Sequence, residues 1–184
     1  MKILESTASK ITIWSHQRNP INKEEQVVIQ YGIEVILENV IKYLALLLLG
    51  ILLHKTGETI IILISFALLR SQAGGYHAET NLGCMLWMVG MWASGIFARQ
   101  LISISLPVLV PLWGIAVLGI YLFAPSGKRV QLVFDENMKR KKRWYSYCIT
   151  SFLFIAALQP HWRCSIVIPV MIEVLSLVNL KSLA

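Results

Sequence analysis

This sequence predicts an all-α fold: a polytopic membrane helical bundle of about six transmembrane or partly spanning helices, preceded by an N-terminal amphipathic segment. Three observations predict it. Hydrophobic residues make up 56% of the 184 and charged residues only 15%, whereas a soluble domain carries about a quarter charged. The apolar residues gather into runs separated by short polar turns, the pattern of a chain that crosses lipid repeatedly. No stretch alternates strongly enough to suggest the strands of a barrel, and no internal repeat or low-complexity tract divides the chain. Residues 1–184 therefore read as one integral membrane domain.

Each element can be justified in order. In residues 3–15, Leu4, Ala8 and Ile11 share one stripe with Ile13 and Trp14 beside it, a pattern suited to the headgroup region. The start, "MKILESTASKITIW", lacks the uninterrupted apolar core of a signal peptide. In "NPINKEEQ", Asn22 can cap a helix and Glu25 completes a capping box. That helix runs through Glu34, Glu38 and Lys42 into "YLALLLLGILL". Spacings of four put these charges on one face, with Glu38 and Lys42 oriented for an ion pair. The face is either a solvated entry to the bilayer or a polar side turned to a substrate groove.

"TIIILISFALL" follows the turn "HKTGE". It is too short to cross about 30 Å of hydrocarbon at about 1.5 Å per residue. The helix must carry Arg70, Ser71 and Gln72 into or near the membrane, where such groups need protein or a wet cavity beside them. "CMLWMVGMWASGIFA" is also short and ends at Arg99; "LISISLPVLVPLWGIAVLGIYLFA" predicts a full span bent at Pro107 and Pro111. After a basic loop come "WYSYCITSFLFIAALQP", a turn at His161–Arg163, and "CSIVIPVMIEVLSLVNL".

The net charge of +7 does not point to nucleic acid, because of where it sits. Seven of the 17 basic residues (Lys128, Arg129, Lys139, Arg140, Lys141, Lys142 and Arg143) fall in the loop between the fourth and fifth spans. Among lipid-spanning runs such a block reads as a cytoplasmic anchor near acidic lipids. Placing both termini inside leaves only Lys55, Arg99 and Arg163 in the outer turns and Lys42 in the first span; the other 13 are cytoplasmic. The expectation is a multi-pass cell-membrane protein with both termini and residues 77–84 on the cytoplasmic side. His161 and Arg163 read as interfacial anchors.

The chemistry concentrates in "RSQAGGYHAETNLGC", residues 70–84. Cysteine attacks as its thiolate, and a neighbouring histidine can take the proton. On one straight helix His77 and Cys84 would lie about 10 Å apart along the axis, too far for proton transfer. They meet only if the chain bends, and Gly74 and Gly75 supply that freedom upstream. Asn81 is a candidate cap for the third spanning helix, with Cys84 in its first turn. A helix N-terminus favours thiolates and offers N–H groups to an oxyanion. The bland alternative is a packing cysteine beside an idle loop histidine, in a non-catalytic membrane peptide exporter or scaffold. A rival pair, His161 and Cys164, lies three residues apart in an outer turn; Cys148, among aromatic and aliphatic neighbours, reads as packing. Three cysteines without CxxC spacing, and the absence of HExxH, GxSG and P-loop patterns, give no metal site, cofactor or disulfide framework.

The same residues resemble the signature of the accessory gene regulator B family, the membrane cysteine endopeptidases that mature quorum-sensing peptides in Gram-positive bacteria. The shared pattern is Arg70, Gly74, Gly75, His77 and Cys84. It extends to "YGIEVILENVIKY", "APSGK" and "KRKKRWYS"; where family members usually follow Ala-Pro with Lys-Pro, this chain has "GKRVQLVFDEN". The resemblance implies that His77 deprotonates Cys84, which attacks a short amphipathic propeptide and expels its acidic C-terminal tail. An acyl-thioester on Cys84 then yields a thiolactone or lactone ring. Arg70 would bind a substrate carboxylate or the glycine loop's carbonyls; Glu79, Gln72 and Glu34 are candidates to orient His77. The basic block would attract the acidic tail, and the family suggests a homodimer among membrane lipids.

Overall fold

The computed structural model describes residues 2–18, 22–75, 80–126 and 135–181. His77, Glu79, Lys128 and Arg129 lie outside the described residues. Among those described the chain is all-α, with seven helices: α1 (Lys2–Arg18), α2 (Lys23–Leu52), α3 (Thr56–Ala73), α4 (Asn81–Leu101), α5 (Leu106–Phe123), α6 (Glu136–Ala157) and α7 (Arg163–Lys181). They form two compact units, Met1–Leu48 and Leu49–Ala184.

The first unit holds α1 and most of α2. Its capping box forms as the sequence predicts: the Glu25 N–H donates to Asn22 Oδ1 at 2.7 Å, and the Asn22 N–H to Glu25 Oε2 at 3.2 Å. Along α2 the polar residues pair at helical spacing. Gln30 donates to Glu34 at 3.1 Å, and Lys42 lies 3.7 Å from Glu38.

The second unit is organised around α7, which packs against α3, α4, α5 and α6. Ile166, Val167, Val170, Val174 and Leu177 are all at most 3% exposed. Small residues let the helices approach closely: a side chain at Gly119 would strike Val174, and one at Gly95 would meet Ile62 at 2.7 Å. Between α3 and α4, Trp92 Nε1 donates to Thr59 Oγ1 at 2.9 Å, so both polar atoms are satisfied inside the bundle.

The helices alternate in direction, and specific contacts gather their ends. One end collects the starts of α3, α5 and α7 with the finishes of α4 and α6. Arg163, 7% exposed, donates from Nε to Ala157 O at 3.0 Å, from Nη1 to Ile104 O at 2.8 Å and from Nη2 to Leu158 O at 2.9 Å. It is a buried staple across two connections, α4–α5 and α6–α7, and not the interfacial anchor expected of it. Helix C-termini and turns leave carbonyls without partners, and one guanidinium has enough donors to satisfy several. Arg163→Met is expected to lower stability by about 2 kcal/mol, since each stranded carbonyl costs roughly 1–3 kcal/mol unless water reaches it. The melting temperature in detergent micelles checks this, and an unchanged melt contradicts the staple.

Among the described residues, three helices are long and apolar enough to cross a membrane: Glu25–Leu52, Leu82–Leu101 and Leu106–Phe123. The others match in length, at 18, 22 and 19 residues for α3, α6 and α7. They are interrupted by Arg70, by the cations of Lys139–Arg143, and by Arg163 with Glu173, which fits their reading as partial spans. Two expectations need correction. The run read as one span from Leu101 breaks at Ile102–Ser105, so Pro107 sits in the first turn of α5, where a missing N–H costs little, and only Pro111 lies inside the helix. The basic block is not all loop. Asp135 caps α6 by accepting from the Glu136 N–H at 2.7 Å, and Lys139–Arg143 form its first turns.

Candidate functional site

The opposite end of the second unit holds the segment singled out by sequence. α3 runs on through Arg70, Ser71 and Gln72 to Ala73, so the polar residues are helical, as the short apolar run requires. The chain then turns through Gly74 at φ 80° and Gly75 at φ 126°, conformations that side-chain-bearing residues rarely adopt. Ser126, just beyond α5, holds this turn: its N–H donates to Ala73 O at 2.9 Å and its carbonyl accepts from the Gly75 N–H at 3.2 Å. A side chain at Gly74 would collide with that carbonyl. The "APS" of the sequence is therefore part of the glycine turn's seat, which linear reading did not show.

Arg70 stands in the last turn of α3. Its Nη1 bridges both oxygens of Glu173 on α7, at 3.1 and 3.3 Å, and its guanidinium lies 5.3 Å from the Phe66 ring centroid. Glu173 is fully buried. Sequence reasoning missed it, although a single carboxylate inside "CSIVIPVMIEVLSLVNL" is a signal, since an intramembrane charge is retained only with a partner. Ser176, one turn on, donates to the Glu173 carbonyl at 2.8 Å.

Four residues after the described chain resumes stands Cys84. Thr80, and not Asn81, caps α4: its Oγ1 accepts from the Gly83 N–H at 3.1 Å, and its carbonyl accepts from the Cys84 N–H at 3.0 Å. Threonine competes well for this position because its backbone is extended there. The shift of one residue leaves Cys84 in the first turn, partly exposed. It also commits the Gly83 and Cys84 N–H groups to the cap, so any oxyanion must look to other donors.

Of the remaining predicted site residues, Gln72 is half-buried and donates to Ser71 Oγ at 3.3 Å. Glu34 belongs to the first unit, where it accepts from Gln30. The start of α6 joins the same end of the second unit as the glycine turn. Arg143 Nε donates to Ala124 O at 2.8 Å, Lys142 Nζ to Ser71 O at 3.5 Å, and Lys139 pairs with Glu136 at 2.8 Å. Arg140, Lys141 and Arg143, with Trp144 and Tyr145, line an open cleft of ≈ 750 Å³.

The rival pair is occupied elsewhere. His161 Nδ1 is 2.9 Å from Arg99 Nη2, and buried Cys164 donates from Sγ to Ile102 O at 3.5 Å. Arg99 also lies 3.5 Å from Glu58. Cys164→Ala is accordingly expected to leave peptide processing within about twofold of native, read by mass spectrometry of the product; a large loss would move the chemistry to this end. Cys148 is exposed on the α6 surface and not packed in the protein core, a correction that follows from its position on the outward face of that helix.

Comparison with known proteins agrees with this picture. The family model for accessory gene regulator B matches residues 8–177. The chain is 21% identical over 155 residues to Accessory gene regulator protein B of Staphylococcus haemolyticus, covering 84% of this chain and 82% of that one. It is 28% identical over 123 residues to an AgrB-like protein of Listeria monocytogenes, covering 66% of this chain and 60% of the relative. It is also 28% identical over 124 residues to Protein FsrB of Enterococcus faecalis, covering 65% of this chain and 51% of the relative. No solved structure matches. With the family match spanning nearly the whole chain and the arginine–glycine turn and helix-start cysteine built as described, the chain belongs to the accessory gene regulator B family.

Proposed function

We propose that this protein is a membrane-embedded cysteine endopeptidase that trims a quorum-sensing propeptide and promotes its cyclisation. The observation that carries the reading is the placement of Cys84: partly exposed, in the first turn of α4, at the end of the bundle where the Gly74–Gly75 turn delivers the chain toward His77. His77 takes the thiol proton as Cys84 Sγ attacks the scissile carbonyl carbon. The C–N bond breaks, the proton passes to the leaving amine, and the acidic C-terminal tail departs. The thioester left on Cys84 is attacked by a cysteine or serine side chain within the precursor, which closes a thiolactone or lactone and frees the thiol. Thioester exchange is nearly isoenergetic, so a site sheltered from water favours the ring over hydrolysis.

The cations of α6 stand at the same end and suit an acidic tail. Their excess over the basic residues at the other end favours a multi-pass orientation with this end, and both termini, in the cytoplasm. Co-expression with the short reading frame expected beside the gene tests the proposal. Mass spectrometry is expected to find the peptide shortened by its tail and cyclised. A full-length precursor, merely relocated, would instead support a non-catalytic exporter.

A further inference from the structure

We infer that Glu173 is a positioning residue for peptide processing: through Arg70 and against Gly75 it fixes the start of the segment that carries His77. This rests on the reading of Cys84 as nucleophile and His77 as its base. Three observations place Glu173 in this role. Its carboxylate is fully buried on the central helix of the second unit, yet it bridges Arg70 from the last turn of α3, five residues before the end of the glycine pair. A Cβ at Gly75 would stand 2.5 Å from Glu173 Oε1, 2.7 Å from Ser176 Oγ and 3.1 Å from Arg70 Nη1. The backbone of Gly75 is thus seated directly on the ion pair. On its other side, its N–H is held by Ser126 O at 3.2 Å.

A pair of this kind is a poor way to gain stability. Taking both charges out of water costs about as much as their attraction returns, and well-packed apolar residues usually do as well or better. It does define geometry. A carboxylate fixed on α7 sets where Arg70 ends and how closely the glycine backbone can approach. Two residues later comes His77, whose nitrogen must reach Cys84 Sγ; a displacement of about 1 Å costs roughly 100-fold in rate.

The test uses the full-length protein in lipid vesicles with the precursor encoded beside it, and a water-soluble maleimide as thiol probe in a Cys148→Ser background. Glu173→Gln is expected to insert at the native level, to lose about 100-fold in kcat with KM within about threefold, and to label at Cys84 as slowly as His77→Ala. The double variant Arg70→Leu with Glu173→Leu removes both charges and guards against misfolding. It is expected to insert normally and still fail to process. Native cleavage and labelling in Glu173→Gln, or recovery of native cleavage in the double variant, would show that the pair only packs and would overturn the inference. If the native protein itself leaves the precursor uncut, the peptidase reading fails instead, while the labelling rates of Glu173→Gln and His77→Ala still decide the role of Glu173.

Discussion

Cys84→Ala is expected to abolish precursor cleavage, with a fall of at least about 1,000-fold in kcat, while the protein still reaches the membrane in native amount. The two halves of that expectation have separate physical grounds. In the proposed mechanism the sulfur is the atom that bonds to the substrate, and a methyl group cannot replace it. Structurally the change is mild: Cys84 is only partly buried, its N–H bond to Thr80 O is a backbone bond, and alanine is the best helix former. The same loss is expected for His77→Ala. Quantifying cut and uncut precursor against membrane-inserted protein checks both. Cleavage at the native rate in Cys84→Ala sinks the mechanism.

Gly75→Ala is expected to cost about 100-fold in processing with little effect on insertion. A residue with a Cβ held in such a conformation carries about 1–3 kcal/mol of strain. Here the added methyl also meets the Glu173 carboxylate at 2.5 Å, and that carboxylate is tied to Arg70 at 3.1 Å. The turn must shift, and the chain toward His77 shifts with it. Gly57→Ala is the control. It lies in the first turn of α3 with nothing within 4 Å of the added carbon, and should process normally. Equal losses in both variants would mean that glycine is needed for helix flexibility and not for the seat beside Glu173.

Much of this was legible in the sequence because it depends on local pattern. The eleven-residue run before Arg70, nine of them apolar, could not cross a bilayer, so the helix had to continue through polar residues, and it does. Asn22 and Glu25 stand at capping-box spacing, and Glu38 and Lys42 one turn apart, so both pairs form from neighbours in the chain. The Gly74–Gly75 pair announced a turn that other residues avoid. What escaped depends on contacts between distant segments. Arg70 and Glu173 are 103 residues apart, and nothing in either neighbourhood names the other. Arg163 looked like a surface anchor because its sequence neighbours are polar, whereas its partners are the carbonyls of Ile104, Ala157 and Leu158. The start of α6 was hidden by charge: five consecutive cations suggest loop, but Asp135 and Glu136 at the helix N-terminus offset them and supply the cap.

The arrangement of ends also brings Cys84, the glycine turn and a cationic face to one end of the second unit. Helices of alternating direction place the finish of α3, the start of α4, the finish of α5 and the start of α6 at one level. The core that fixes this level is α7, whose Ile166, Val167, Val170, Val174 and Leu177 are buried. Its one carboxylate is directed at the arginine of the signature segment.

The central claim is a covalent bond between the sulfur of Cys84 and the precursor's new carboxyl carbon. It can be caught with a precursor whose ring-closing cysteine or serine is replaced by alanine, so that the thioester has no internal acceptor. Acid quenching followed by intact-protein mass spectrometry should reveal an adduct of the tail-less precursor on Cys84, released by hydroxylamine. Stoichiometric tail release with an unmodified protein, or an adduct mapped to Cys148 or Cys164, would contradict it.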